Sequence, residues 1–192
     1  MTAPMLGQRL EPSYVGDFRL SRTGWSVTVT VLDLARHVAK LLDGELHARP
    51  GQIEISVTVR EVPILLLGGG AARLDWHRGN ASPACDGRTR ASRPCSCPAS
   101  FEARRSAARQ GRGCEPHARI EFSLADAPLL GLFRFASGNW SFAQEAGTAA
   151  RALRDRHDVM AAWLRREERV TVLASGQPAV VSRPVLAIDE QR

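Results

Sequence analysis

The sequence predicts an α+β protein built on a mostly antiparallel sheet, with two or three helices and a Cys-rich zinc-binding insertion. Three observations predict it. Short runs alternate apolar and polar residues, the cleanest being Gln52 to Val59, while Val31 to Leu42 repeats its apolar residues at helical spacing. The stretch from Asp75 to Gly113 has few large apolar residues, yet all four cysteines lie in it or at its end. The 192 residues, 44% hydrophobic and 24% charged, suit a single globular domain with a real core.

Residues 1–16 read as a flexible N-terminus and 17–74 as a first α+β half. Phe18 and Leu20 alternate in a first strand, and Trp25 to Val31 is a second, β-branched one. Val31, Leu34, Ala35, Val38, Leu41 and Leu42 then form a helical stripe. Thr28 or Thr30 is the expected cap and Asp43-Gly44 the expected stop. Ile53, Ile55, Val57 and Val59 mark one face of the next strand, and Val62 to Leu67 is another, closed by Gly68-Gly69-Gly70. No phosphate-loop lysine follows these glycines, so they read as a turn.

Residues 75–118 read as the insertion and 119–192 as the second half. Arg119 to Leu124 and Leu132 to Phe135 alternate as strands, and Ser141 to Arg156 is a helix. A further helix, capped near Asp158, is expected through Met160, Trp163 and Leu164 to Arg166. Val170 to Leu173 and Val180 to Ile188 close the chain as strands around Ser175-Gly176-Gln177-Pro178, with Pro184 at an edge or bulge.

The formal charge is +6, and Lys40 is the only lysine. An Arg-rich, lysine-poor chain fits a GC-rich genome as readily as an affinity for phosphate or carboxylate. No run reaches the roughly 18 to 20 apolar residues of a membrane span, and Met1 to Leu10 lacks a basic-then-apolar signal. The expectation is a cytoplasmic protein with reduced thiols, whose cysteines bind metal or sit idle in the core.

Nine residues separate Cys85 from Cys95, one separates Cys95 from Cys97, and sixteen separate Cys97 from Cys114. These cysteines occupy the one stretch unable to order itself by burial, and four thiolates complete a closed tetrahedral zinc site. The flanking residues suit knuckle turns: Asp86-Gly87, Pro94, Pro98, Gly111 and Gly113. Cys85, Cys95, Cys97 and Cys114 are therefore the expected ligands of a structural Zn2+. The tight Cys95–Cys97 gap leaves open a variant in which His117, or more remotely His77, replaces one of them.

No G-x-S-x-G elbow and no zinc-deaminase pattern is present, and no nucleophile, base and orienter converge, so no catalytic residue and no small-molecule substrate are assigned. Trp76 either packs the zinc knuckle onto the sheet or, if exposed, anchors a partner. Arg88, Arg90, Arg93, Arg104 and Arg105 are the other candidate partner contacts. The rival to a protein-binding role is a zinc-stabilised nucleic-acid-binding module touching phosphates through these arginines. It would lack a recognition helix after a C-x-x-C finger.

Several longer words carry a resemblance. They are Gly16-Asp17-Phe18-Arg19-Leu20, Ala39-Lys40-Leu41-Leu42-Asp43-Gly44-Glu45 and Val62-Pro63-Ile64-Leu65. Cys85-Asp86-Gly87, Pro94-Cys95-Ser96-Cys97-Pro98 and Cys114-Glu115-Pro116 follow, then Arg119-Ile120-Glu121-Phe122-Ser123-Leu124 and Leu130-Gly131-Leu132-Phe133-Arg134-Phe135. From about Asp17 to Leu186 the chain resembles the recombination directionality factors of phage-type large serine integrases, or a chromosomal relative of them. The resemblance implies a non-enzymatic accessory protein. It would bind a serine integrase on attachment-site DNA and turn it from integration (attP × attB) toward excision (attL × attR); a direct but weak DNA contact is a separate expectation, from the arginines of the insertion. The integrase would supply the serine nucleophile.

Overall fold

The computed structural model describes residues 13–78, 81–85, 88–90, 93–154, 159–172 and 175–188. The chain is α+β. Three α-helices and a mostly antiparallel mixed sheet of thirteen strands are found among the described residues.

β1 (Tyr14–Leu20) and β2 (Trp25–Val29) make a hairpin closed by Ser21, whose backbone N–H and hydroxyl both bond Gly24, at 2.9 and 3.0 Å. α1 (Leu32–Leu41) follows and buries Ala35, Val38 and Ala39. Neither expected threonine caps it. Thr28 is committed to β2, and the N-cap is Val31, which makes no side-chain cap hydrogen bond. At the other end Asp43, not the glycine, takes the left-handed conformation, with φ +49°. Aspartate tolerates that conformation. Gly44 instead opens β3 (Gly44–Arg49), where an added Cβ would meet Ile55 Cγ2 at 2.7 Å.

β3 pairs with β4 (Gln52–Val57), and β5 (Glu61–Leu67) and β6 (Ala72–Arg78) lie on either side of the glycine turn. β7 (Ala81–Cys85), β8 (Thr89–Arg90) and β9 (Arg93–Pro94) then form a small meander, and α2 (Phe101–Arg109) follows. β10 (Glu115–Leu124), a 3-10 turn at Pro128–Leu130, β11 (Leu132–Ser137) and α3 (Trp140–Arg154) lead to the closing hairpin of β12 (Val159–Val172) and β13 (Pro178–Ile188).

The main path of the sheet runs β3-β4-β2-β1-β11-β10-β6-β7-β8-β9. Long β10 serves two neighbours on one edge: Glu115 to Ile120 pair with β6, and Phe122 to Leu124 pair with β5, which in turn carries β12 and β13. β1 against β11 is the one parallel pair among the described residues. Phe18, Trp25, Ile55, Phe122, Phe133 and Phe135 share one buried cluster with Val38 of α1 and Phe142, Ala146 and Leu153 of α3. Edge-on rings link them, as in Trp25–Phe135 at 5.7 Å and Phe135–Phe142 at 5.0 Å. Such pairs add about 0.5–1.5 kcal/mol each beyond their burial.

Two expectations are corrected here. Met160 to Arg166 is not a helix but the start of β12, and Asp158, its expected cap, lies outside the described residues. The apolar residues allowed either reading. Met160, Ala162 and Leu164 also alternate, and pairing with both β5 and β13 selects that period. The cysteine-bearing stretch, read from its composition as unable to order itself by burial, holds regular structure: most of β6, the β7–β9 meander and α2. Among the described residues β13 pairs only with β12, so Pro184 sits on an edge strand as its missing donor requires. Glu145 of α3 accepts the Leu186 amide at 2.8 Å and so occupies a donor of that edge. No helix among the described residues is long and apolar enough to cross a membrane.

Candidate metal centre

The meander, α2 and the start of β10 form a lobe at the β6 side of the sheet. Its order begins with backbone. β7 and β8 meet at Cys85 and Arg90, β8 and β9 meet at Thr89 and Pro94, and Cys95 N–H donates to Arg88 O at 2.7 Å. That bond folds the Cys95 end of the meander back over β8. Asp86 and Gly87, the first expected knuckle turn, lie outside the described residues.

α2 has start and stop signals of its own. Ser100 caps it by accepting Ala103 N–H at 3.2 Å, and Glu102 lies in the first turn. At its end Gly111 has φ +70° and its N–H donates to Ala108 O, while Arg112 N–H reaches Ala107 O at 2.9 Å. This is a Schellman stop, which needs a residue at ease with positive φ. Gly113 then passes so close to the helix end that a Cβ there would lie 2.7 Å from Ala108 N. The turn delivers Cys114 beneath α2.

Cys95, Cys97 and Cys114 converge, their sulfurs all within 4.8 Å of one another, and could hold a metal ion. Cys97 Sγ donates to Cys114 Sγ at 3.0 Å, and all four cysteines are free thiols. Cys85 is not part of the trio, but its side chain hydrogen-bonds Cys95 and it is 1% exposed beside Cys114. The donor set fits zinc. Zn–S bonds of about 2.3 Å in a tetrahedron place sulfurs about 3.8 Å apart. The observed spacing brackets that value and exceeds the roughly 2.05 Å of a disulfide.

The thiols are unequal. Burial pushes Cys95 up, but hydrogen bonds from the Cys97 backbone and from the Cys85, Cys97 and Cys114 side chains outweigh it and bring it down to about 7. Cys114 is pushed up to about 12, first by burial and then by its bond to Cys97. Cys95 is the most acidic sulfur of the set, and a divalent cation held by these thiols would supply the positive charge that lets them ionise together.

A small second core fastens this lobe to the sheet. Trp76 of β6 meets Phe101 of α2 and Trp140 of α3 at ring-centroid distances of 5.7 Å each, and Phe101 meets Trp140 at 5.3 Å. Arg104 reaches in from α2, its guanidinium carbon 4.6 Å from the Trp76 ring centroid and its Nε donating to Pro98 O at 2.6 Å. Arg104 thereby ties the residue after Cys97 to the tryptophan.

Trp76 and Arg104, weighed as partner contacts, are buried at 6% and 4% exposure. Trp76 packs the lobe onto the sheet, the first of its two expected roles, and Arg104 is an internal brace. Arg88 and Arg93 are exposed and Arg105 is half-buried, whereas only the backbone of Arg90 is described. His117 does not join the thiols. It faces away from Pro116 and Ala118 on β10, and its ring lies 5.1 Å from that of His77. Burial and the neighbouring His77 lower its pKa. Sequence reading missed Phe101 and Trp140 as parts of this site, and took Arg104 for a partner contact. The signal for α2, which carries Phe101 and Arg104, was present in Ser100, Glu102 and Gly111.

No solved structure matches the chain. A family model matches residues 7–189, a range that includes the sheet and the thiol trio. The chain belongs to that family, the Gp3-like proteins, described as recombination directionality factor-like.

Proposed function

We propose that this chain is an accessory factor that binds a large serine integrase on attachment-site DNA and turns it from integration toward excision. The observation that carries this reading is the family match over nearly the whole chain. The factor acts by binding one integrase conformation better than another, which shifts the population of synaptic complexes without new covalent chemistry. The integrase supplies the nucleophile and the factor supplies binding energy.

In this reading Cys85, Cys95, Cys97 and Cys114 hold one structural Zn2+. The convergence of three sulfurs, with the fourth bonded to Cys95, supports that set. The ion would fix the lobe by coupling metal binding to its folding. The test is recombination in vitro with purified cognate integrase. Adding the chain is expected to switch on attL × attR and suppress attP × attB. An integrase whose product ratio is unchanged by saturating chain, while the two proteins also fail to co-migrate, refutes it.

A further inference from the structure

The net charge of this molecule is concentrated in one place. Residues 85–114 hold seven arginines and two acids, a balance equal to five of the chain's six net positive charges. A zinc bound by four thiolates takes back about two of them and leaves the lobe basic.

Some arginines elsewhere meet carboxylates, although Arg19, Arg22, Arg60, Arg73, Arg151, Arg154 and Arg169 have none among the described residues. Arg134 pairs with Asp17, Arg119 with Glu121, Arg49 with Glu54, Arg165 with Glu61 and Arg183 with Glu167. In the lobe Arg93, Arg105, Arg109 and Arg112 have no carboxylate partner among the described residues, and Arg112 donates only to the neutral Gln110 side chain. Arg105 and Arg109 stand one turn apart on α2, a like-charge spacing that works against the helix. Arg93, Arg109 and Arg112 are exposed. Single unpaired arginines occur elsewhere too, and what sets the lobe apart is that its positive charge is not balanced by acids within it, which leaves it for an external anion.

We infer that Arg93, Arg105, Arg109 and Arg112 form a contact surface for the phosphate backbone of duplex DNA. Guanidinium forks match phosphate oxygens, and a cluster without base-reading elements makes the contact independent of sequence. Such a contact would hold the lobe against DNA whether or not a recombinase is present. It goes beyond the integrase reading and does not depend on it.

The test is fluorescence anisotropy of the full-length, zinc-loaded chain with a labelled duplex of about 30 bp, titrated in about 50 to 200 mM KCl. Four phosphate contacts at about 0.9 counterions each predict roughly 100-fold weaker binding over that range. The triple variant Arg93→Gln, Arg105→Gln, Arg109→Gln is expected to flatten the log–log salt slope by about 2.7, leaving only a several-fold change. Arg36→Gln with Arg49→Gln, on α1 and β3 at the far end of the sheet, is expected to leave the slope unchanged. Circular dichroism and zinc content confirm that each variant is folded. Absence of saturable binding at the lowest salt, or a triple variant with the wild-type slope, overturns the inference. So does a triple variant that keeps the wild-type DNA titration but loses recombinase binding in a separate pull-down, which would assign the arginines to an acidic protein surface. No recombinase enters the titration, so this inference and the integrase reading fail separately.

Discussion

Replacing Phe101 with alanine should release the cysteine lobe while the sheet stays folded. Its ring lies edge-on to Trp76 at 5.7 Å and 68° and to Trp140 at 5.3 Å and 80°. Each such pair contributes about 0.5–1.5 kcal/mol beyond burial. Phe101 is only half-buried, so burial adds roughly half of the 1.5–3 kcal/mol of a fully enclosed side chain. Together these give about 2–4 kcal/mol. The loss falls mainly on local opening of the lobe, because both ring partners of Phe101 belong to the second core and Phe101 only borders the main one. At a factor of ten per 1.4 kcal/mol, amide exchange in α2 should quicken about 30- to 700-fold. Hydrogen exchange by mass spectrometry reads this directly, with Arg104 and Gln110 amides as reporters and those of Ile120 and Phe122 as references. Equal acceleration in α2 and β10 would mean that the lobe is no separate unit. Unchanged protection of α2 would mean that the aromatic contacts do not hold it.

Three further outcomes follow. Elemental analysis of the purified chain should find about one zinc per molecule, and Cys114→Ser should lose it and make residues 88–113 the first site of proteolysis, if metal binding orders this lobe as proposed. Asp17→Asn should cost less than about 1 kcal/mol in thermal denaturation despite the 2.6 Å contact with Arg134, because both side chains are more than a third exposed, at 38% and 37%. Burial raises the pKa of Glu145, against the weaker lowering by the Leu186 amide and Arg183. The folded carboxyl thus holds its proton where the unfolded chain has released it, and the wild type loses stability as pH rises from the ordinary carboxylate range toward neutrality. Glu145→Gln keeps an oxygen for the Leu186 amide and removes that slope, so urea denaturation should show the variant gaining on the wild type as pH rises.

The parts of the fold that were legible are those whose local pattern has one solution. Gln52 to Val57 alternates strictly and is β4, and the stripe through Ala35 and Val38 is α1. β3 was not legible because Gly44 to Arg49 has one large apolar residue, Leu46, and that one is 42% exposed. The strand exists through its ladder with β4, a pairing that leaves no trace in its own composition. Met160 to Arg166 failed differently. Two periods fitted the same residues, and the deciding term was long-range pairing with Val62 to Leu66.

At the site, legibility followed ligand chemistry more closely than architecture. Cysteines are rare enough that four in a poorly apolar stretch point to one another, and three of them do converge. What spacing could not convey is that the lobe is not held by thiols alone. Its second core uses Trp76 from β6, Trp140 from α3 and Phe101 from α2, residues as much as 64 positions apart in the chain. This division of labour bears on the proposed switch. A lobe held only by metal would be ordered or lost as a whole with its ion, whereas aromatic and cation–π contacts set its angle on the sheet independently of any metal the thiols would hold. A surface that must discriminate between two conformations of a large partner needs that fixed angle, because a freely pivoting lobe would bind both and shift neither.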